Sequence, residues 1–480
     1  MDGQEQYRTG IVTVRSSWRR QYLLALTPAV LLLILLSRRI WDVDIFWQLK
    51  LGELILAHHG PIRAEPFSAL HVGEPLPGFA WLGQAAMAAV RHMGGWSALR
   101  VFDALCWLGG FWAPAAACRA RGAPLRAVML GLGLAFVAAL PTASIRPQSF
   151  AALCFGFLLA LLRLRLTPWT TLAIGAPLLL LWQNLHPSVT VGVAALAVYS
   201  APGWYQWLRY RAAAPPLAAT ALALIGCAAV FTTPDGLSIL AEATRNARSS
   251  MMIGASEWLP LWIPANHLNA APILTVALFG CWLLWRRGAR ADAAELAVAL
   301  LLLALTVTAY RFVLFWAVAM VPVLVRAAAS DASDRGERLP RGAIAVPVLL
   351  VAALGPFLLP TRFEPSIPLA AIERLKREHV RGTIYGDFPF GGAIIDGGYP
   401  DWRVAYDGRY YRYSSDEWKY NGGIENGFVP LVDVLSKWRP AAFVLNAEHN
   451  APLAGQLASS RQWRCIYARE GIVVYVPKRS

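Results

Sequence analysis

Charged residues are what this sequence has least of: 15% of its 480 positions are Asp, Glu, Lys or Arg, while 57% are hydrophobic. An ordinary soluble domain carries roughly 25% charged and 45–50% apolar residues, so a free-standing soluble protein is excluded and an integral membrane protein implied. Cysteine is scarce as well. Cys106, Cys118, Cys154, Cys227 and Cys281 lie in apolar runs and only Cys465 falls in a polar region, leaving neither a disulfide framework nor a CxxC metal site. No apolar run carries an acid at its middle, since Asp103 and Glu295 fall near run ends, which removes the ion or proton path of a transporter. No small-residue cleavage site follows the first apolar run, and a long basic segment precedes it; this run is expected to be retained as an anchor. Internal repeats and low-complexity segments are also missing.

Positive charge is present in excess, with a formal net charge of +15. In a soluble chain that would raise nucleic acid as a partner. Here the arginines gather in alternate loops between apolar runs: Arg119, Arg121 and Arg126; Arg163 and Arg165; Arg209 and Arg211; Arg286, Arg287 and Arg290; Arg326, Arg335, Arg338 and Arg341. That is the positive-inside pattern of a polytopic membrane protein, so the expected partners are membrane lipids and not nucleic acid. Arg8, Arg15, Arg19 and Arg20 place segment 1–20 in the cytoplasm.

A helix needs about 20 apolar residues to cross a hydrocarbon core of about 30 Å. Windows of suitable composition lie at 21–37, 98–118, 126–141, 147–162, 169–184, 187–201, 215–232, 271–285, 293–309, 311–327 and 343–359. The expectation is a membrane domain over 21–360 with about eleven crossings. Its first external loop, 38–97, is large. Within it Phe79–Val90 is expected to lie in the interface, because a crossing there would turn every basic loop outward. From Thr361 the pattern changes to short β-branched segments and polar helices, predicting a small external α/β domain over 361–480. Its predicted elements are a helix at Leu369–Glu378, strands at Gly382–Tyr385, Arg403–Tyr406 and Ala441–Leu445, and a helix at Ala451–Ser460. A hairpin of Trp463–Tyr467 with Ile472–Val476 turns about Arg469-Glu470-Gly471.

The polar residues hardest to explain structurally all fall at the external ends of the runs. Asp42 and Asp44 follow the first run, flanked by the interface-seeking Trp41 and Trp47. Arg146-Pro147-Gln148, Trp182-Gln183-Asn184-Leu185-His186-Pro187, Thr233-Pro234-Asp235-Gly236, Glu257-Trp258 and Tyr310-Arg311 complete the set. Arg146 and Arg311 sit in short external turns where topology disfavours positive charge; a lipid phosphate would account for them, and snorkelling is the competing account. His186 could orient a substrate, act as a base, ligate a metal or simply bond a neighbouring carbonyl. The Pro234-Asp235-Gly236 stretch reads as a turn, and Glu257 as either a site residue or an interface residue. Asp42 and Asp44 could share a divalent cation (Mg or Mn) if the loop curls, or one could deprotonate an acceptor hydroxyl; alternatively an Asp caps a helix beginning near Ile45.

Taken together these residues resemble the GT-C superfamily of polytopic glycosyltransferases, and within it a bacterial branch whose first external loop reads D-x-D-x-W-x-x-L-x-x-G-E. Asp42, Asp44, Trp47, Leu49 or Lys50, and Gly52-Glu53 match it with a small offset, followed by Pro66-Phe67-Ser68 and the motifs above. Gly391-Gly392 and Asp407-Gly408-Arg409 extend the likeness into the last domain. The chain departs from the pattern at Gln48, where relatives often carry His, and at Phe79-Ala80-Trp81-Leu82, where they carry His-Glu before Trp-Leu. The resemblance implies a GT-C-like fold and a polyprenyl-phosphate-linked sugar donor, with transfer to a glycan, lipid or protein acceptor at the periplasmic face of a bacterial inner membrane. It implies a first-loop catalytic acid, Asp44 or Asp42. On this reading Arg146, Gln148, Asn184, His186, Glu257 and Arg311 bind substrate, and Asp42 and Asp44 are the metal candidates. Two rivals stand beside it: a polysaccharide polymerase or ligase using external Arg and His on undecaprenyl-diphosphate glycans, and a non-catalytic scaffold whose Tyr406, Tyr410, Tyr411, Tyr413 and Trp418 stack against a glycan or partner.

Overall fold

The computed structural model describes residues 19–211, 214–289, 291–329, 340 and 342–478. Most of segment 1–20, including Arg8 and Arg15, lies outside the described residues, as do Arg290, Arg335, Arg338 and Arg341 of the basic loops.

Every apolar window is a helix. In chain order the helices are α1 (Thr27–Ser37), α2 (Asp44–Ala57), α3 (Trp81–Ala120), α4 (Leu125–Ala139), α5 (Gln148–Leu164), α6 (Pro168–Leu185) and α7 (Val189–Tyr210). They continue with α8 (Leu217–Ala228), α9 (Ser238–Met252), α10 (His267–Arg287), α11 (Ala293–Thr308), α12 (Val313–Ala328) and α13 (Ala345–Leu358). Five stretches are long and apolar enough to cross a membrane: Arg19–Ser37, Trp81–Ala120, Leu125–Thr142, Pro264–Arg287 and Tyr310–Ala328. Shorter apolar helices stand at Gln148–Leu164, Leu217–Thr232, Ala293–Thr308 and Ala345–Leu358. Leu278, Leu350 and Phe357 point outward from α10 and α13, as side chains facing lipid do. α12 is the opposite case, buried along nearly its whole length at the centre of the bundle. The α3 and α5 backbones meet at glycines, where a Cβ on Gly156 would collide with the Gly110 carbonyl, the close approach that membrane helices make through small residues.

The stretch expected to lie in the interface is helical from Trp81. Trp81–Val90 belongs to the first arm of α3, which joins the long second arm across Gly94 (φ −152°, ψ 23°) and Gly95 (φ +63°, ψ −158°). Only glycine takes the Gly95 conformation without strain, so the paired glycines turn one helix into two arms.

After Thr361 the chain folds as a mixed α/β layer: α14 (Leu369–Lys376), β1 (Gly382–Gly386), α15 (Gly391–Gly398), β2 (Trp402–Val404), α16 (Ser415–Glu425), α17 (Leu431–Trp438), β3 (Ala442–Asn446), α18 (Ala451–Ser459), β4 (Trp463–Arg469) and β5 (Ile472–Pro477). The strand order is β2-β1-β3-β5-β4. β1 runs parallel to both β2 and β3, while β5 pairs antiparallel with β3 and with β4. Ile384, Val404, Val444 and Val474 are fully buried, which is why the β-branched segments form its centre. The first loop joins this sheet: Val404 donates its N–H to the Phe67 carbonyl and accepts from Ala69 N–H, so Pro66-Phe67-Ser68 lies along the free edge of β2. Arg91 in α3 adds a bidentate pair to Asp396 in α15 at 2.8 and 2.9 Å. The last domain is therefore seated on the loop side of the helices. Four of the five aromatics offered as a stacking surface in the scaffold reading, Tyr406, Tyr411, Tyr413 and Trp418, are buried, while Tyr410 is half-buried; Tyr406 packs on Tyr413, Trp418 and Trp438, and Tyr413 meets Trp418 edge to face.

Candidate active site

α2 begins at Asp44 with Val43 at its N-cap position, and Asp42 Oδ1, one residue earlier, accepts the Asp44 backbone N–H at 2.9 Å, so neither aspartate is the N-cap residue foreseen. One turn on, Trp47 Nε1 donates to Asp44 Oδ1 at 3.1 Å. The residue that gathers them is Arg146, in the turn before α5. Its Nε lies 3.0 Å from Asp42 Oδ2 and its Nη1 3.8 Å from Asp44 Oδ2, and its Nη2 donates to Glu257 Oε2 at 2.9 Å. Glu257 in turn faces Arg311 Nη1 at 3.9 Å, and the Arg311 guanidinium lies 3.6 Å from the Trp258 ring centroid. Residues 42, 44, 146, 257 and 311 thus form one continuous chain of alternating charge. Beside it opens a cavity of about 300 Å³ lined by Asp44, Arg146, Gln148, His186, Glu257 and Arg311. Gln148 Oε1 is buried there without a hydrogen-bond donor. The opposite end of the bundle has a separate ionic cluster, with Arg163 on Glu295 at 3.1 Å and Arg165 on Asp292 at 2.9 Å.

Burial and the neighbouring Asp42 push the Asp44 carboxyl up to about 7, against the opposing pull of Arg146 and Trp47. Burial alone would raise Glu257 too, but Arg146 and Arg311 outweigh it and hold that carboxyl below its ordinary value. His186, at the end of α6, is driven down to about 3 by burial and by the two guanidiniums. Its Nδ1 lies 2.8 Å from Ser188 Oγ and 3.3 Å from the Ser188 backbone N–H, an arrangement that suits a neutral imidazole with its proton on Nε2. In Asp44 and Glu257 the site holds one carboxylate poised to exchange a proton near neutral pH and one that stays charged.

No protein-family model and no curated protein matches this sequence. Solved structures do match, over nearly all of it. The apo oligosaccharyltransferase of Archaeoglobus fulgidus is similar at 11% identity over 96% of this chain and 74% of that one, TM-score 0.53. ArnT from Cupriavidus metallidurans, bound to undecaprenyl phosphate, matches at 13% identity over 94% and 97% of the two chains, TM-score 0.55. The arabinofuranosyltransferase AftD from Mycobacteria matches at 16% identity over 95% of this chain and 41% of that one, TM-score 0.51. The chain has the GT-C glycosyltransferase fold. The expected likeness in architecture is thereby established, and with it a multi-pass membrane protein.

A divalent cation shared by Asp42 and Asp44 would meet Arg146. Asp42 Oδ1 accepts the Asp44 N–H, Asp42 Oδ2 lies 3.0 Å from Arg146 Nε without a hydrogen bond, and Asp44 Oδ1 accepts from Trp47. In this structure the guanidinium supplies the positive charge beside both carboxylates. Among the described residues, the group whose ligating atoms lie within 4.8 Å of one another is Asp387, Glu425 and His449, in the last domain. Asn184 also departs from expectation. Its amide bonds the Leu180 carbonyl, Thr232 Oγ1 and Trp81 Nε1, tying three segments together outside the cavity. The cavity's other walls went unforeseen: Ala243, Asn246 and Ser250 of α9, and Gly408, Arg409, Tyr410 and Tyr411 of the last domain. The apolar period of SILAEATRNARSSMM was a usable signal for α9.

Proposed function

We propose that the chain is a membrane glycosyltransferase that moves a sugar from a polyprenyl-phosphate-linked donor to the hydroxyl of a glycan, lipid or protein acceptor. The observation that carries this reading is the convergence of Arg146, Arg311 and Asp44 on one cavity in a GT-C fold. The undecaprenyl phosphate bound to the similarly folded ArnT supports the class of donor. Asp44 takes the acceptor's proton, the freed oxygen attacks the anomeric carbon, and the bond from that carbon to the phosphate oxygen breaks. Arg311 is the freer of the two guanidiniums and Arg146 the more tightly held; both face the charge that builds on the departing phosphate. Asp42 acts by fixing Arg146 and starting α2, and neutral His186 and Gln148 offer polar contacts to the sugar. The setting is a bacterial inner membrane crossed about eleven times, with the amino terminus cytoplasmic and the last domain periplasmic.

Binding of undecaprenyl phosphate to the purified protein, followed by native mass spectrometry, tests this. A charge-assisted hydrogen bond contributes about 1.5–3 kcal/mol, so Arg146→Ala with Arg311→Ala is expected to weaken binding about 10- to 100-fold or more. Asp44→Asn is expected to bind at least as well as wild type. Equal binding by wild type and the double arginine variant would sink the donor-phosphate assignment.

A further inference from the structure

Asp44 is bounded by two parts of the chain. Arg146, Asp42 and Glu257 face it from the helix ends, and Tyr410 lies on the same side as the last domain. That domain reaches the carboxylate itself at Gly408, where a Cβ would run into Asp44 Oδ1. The Gly408 backbone is outside the left-handed region, so it is the available space, and not the backbone conformation, that requires glycine. A second glycine makes the same kind of contact: a Cβ on Gly392, in α15, would stand 2.6 Å from the Val43 carbonyl, just ahead of α2.

The residues on either side of Gly408 are held by a dense set of hydrogen bonds. Asp407 Oδ1 accepts from the Arg409 backbone N–H and from Arg409 Nε, both at 2.9 Å, and Asp407 Oδ2 accepts from Nη2 at 2.7 Å. Arg409 also donates to both oxygens of Glu65, at 2.6 and 2.9 Å, across 344 residues of sequence. Glu65 Oε1 further accepts the Phe67 and Ser68 N–H groups, and Tyr413 donates its hydroxyl to Asp407 Oδ2. All three charged side chains are completely buried. The Arg409 guanidinium lies 5.8 Å from the Trp47 ring, and Trp47 is the donor to Asp44 Oδ1. Gly408 and Trp47 therefore bear on the same oxygen, and the same arginine steadies both.

We infer that the last domain is a working part of the proposed catalytic centre: the Asp407-Gly408-Arg409 loop is a positioning element that fixes the Asp44 carboxylate against Trp47 and Arg146. This rests on Asp44 being the base, but its test uses no sugar donor. The full-length protein in nanodiscs, labelled with ¹⁵N at tryptophan indoles, gives one signal for Trp47, assigned by its loss in Trp47→Phe. Asp44→Asn replaces the charged acceptor of that N–H and defines the displaced position of the signal. In Gly408→Ala the added methyl pushes the carboxylate aside, and the Trp47 signal is expected to move at least about half of the way to its Asp44→Asn position, because hydrogen-bond strength falls steeply with geometry. A folded Gly408→Ala protein with Trp47 at the wild-type position overturns the inference. If that variant fails to fold, Arg409→Lys keeps the charge and loses the fork, and an unmoved Trp47 signal there overturns it equally. Loss of lipid binding in the double arginine experiment bears on the donor reading alone, so the two failures are distinct.

Discussion

Two networks of arginine and carboxylate lie near each other on the loop side of this protein, and they are built on opposite terms. In the Glu65–Asp407–Arg409 network one guanidinium meets two carboxylates through close, mostly bidentate bonds of 2.6–2.9 Å, no side-chain surface is exposed, and backbone N–H groups take the spare carboxylate valence. In the Asp42–Asp44–Arg146–Glu257–Arg311 chain, three carboxylates share two guanidiniums, some pairs stretch to 3.8 and 3.9 Å, and the chain lines a cavity. A saturated network has nothing left to offer a ligand and serves as a fastener. An unsaturated one has spare charge and room, which is what a reacting phosphate and hydroxyl require.

Breaking the fastener should give the largest effect on stability. Arg409→Met leaves Asp407 buried without a cation and Glu65 with only Arg412 Nη1 at 3.9 Å, and stranding a buried charge costs about 3–5 kcal/mol. Thermal unfolding of the purified protein is expected to show the midpoint falling by many degrees, with the last domain becoming sensitive to protease. A midpoint near wild type would remove the distinction between the networks. Asp44→Asn is the converse: it deletes one of three clustered carboxylates, so the midpoint should hold or rise. Sugar transfer by membranes supplied with a polyprenyl-phosphate-linked sugar should fall about 10²- to 10⁴-fold, the range of a positioned general base. Transfer at the normal rate by the folded variant would end the assignment of Asp44.

The sequence reading succeeded where one local property was enough. Apolar windows located the helices of the bundle, including short ones such as Ala293–Thr308, because burial in lipid or protein demands composition before anything else. Alternation of β-branched residues located all five strands to within a few positions. Asp44, Arg146, Glu257 and Arg311 stood out because charge at an external span end is costly without a partner. What was not legible depended on distance or on shape. Glu65 is an unremarkable acid until Arg409, 344 residues on, is placed against it. Gly408 reads as a turn residue until Asp44 is seen beside it. α16 was missed although its capping box is local, with Ser414 and Glu417 bonding each other's backbone N–H. Asn184 was misread because a polar residue beside His186 looks like a ligand contact, while its amide had three partners inside the bundle.

The finest test of the comparison is pH, because Asp44 and Asp407 respond with opposite sign. The folded protein holds the Asp44 carboxyl at about 7, above the roughly 3.9 of an unfolded aspartate, so folding favours its protonated form. The stability this confers is fully present below pH 4 and is lost as pH rises through about 7. Asp407 is the reverse: burial alone would raise it, but Arg409 outweighs burial and holds it below its ordinary value, so its contribution is present above about pH 4 and is lost on acidification. Melting curves of wild type should therefore soften between about pH 4 and 7 relative to Asp44→Asn, whose midpoint lacks this component, while both proteins share the same acid loss below about pH 4. Catalysis runs against stability over that interval, since Asp44 must give up its proton to act: transfer should rise with pH as the melting midpoint declines. Parallel pH dependence of the melting midpoint in wild type and Asp44→Asn would show that Asp44 is not held in the strained, proton-exchanging state on which the contrast depends.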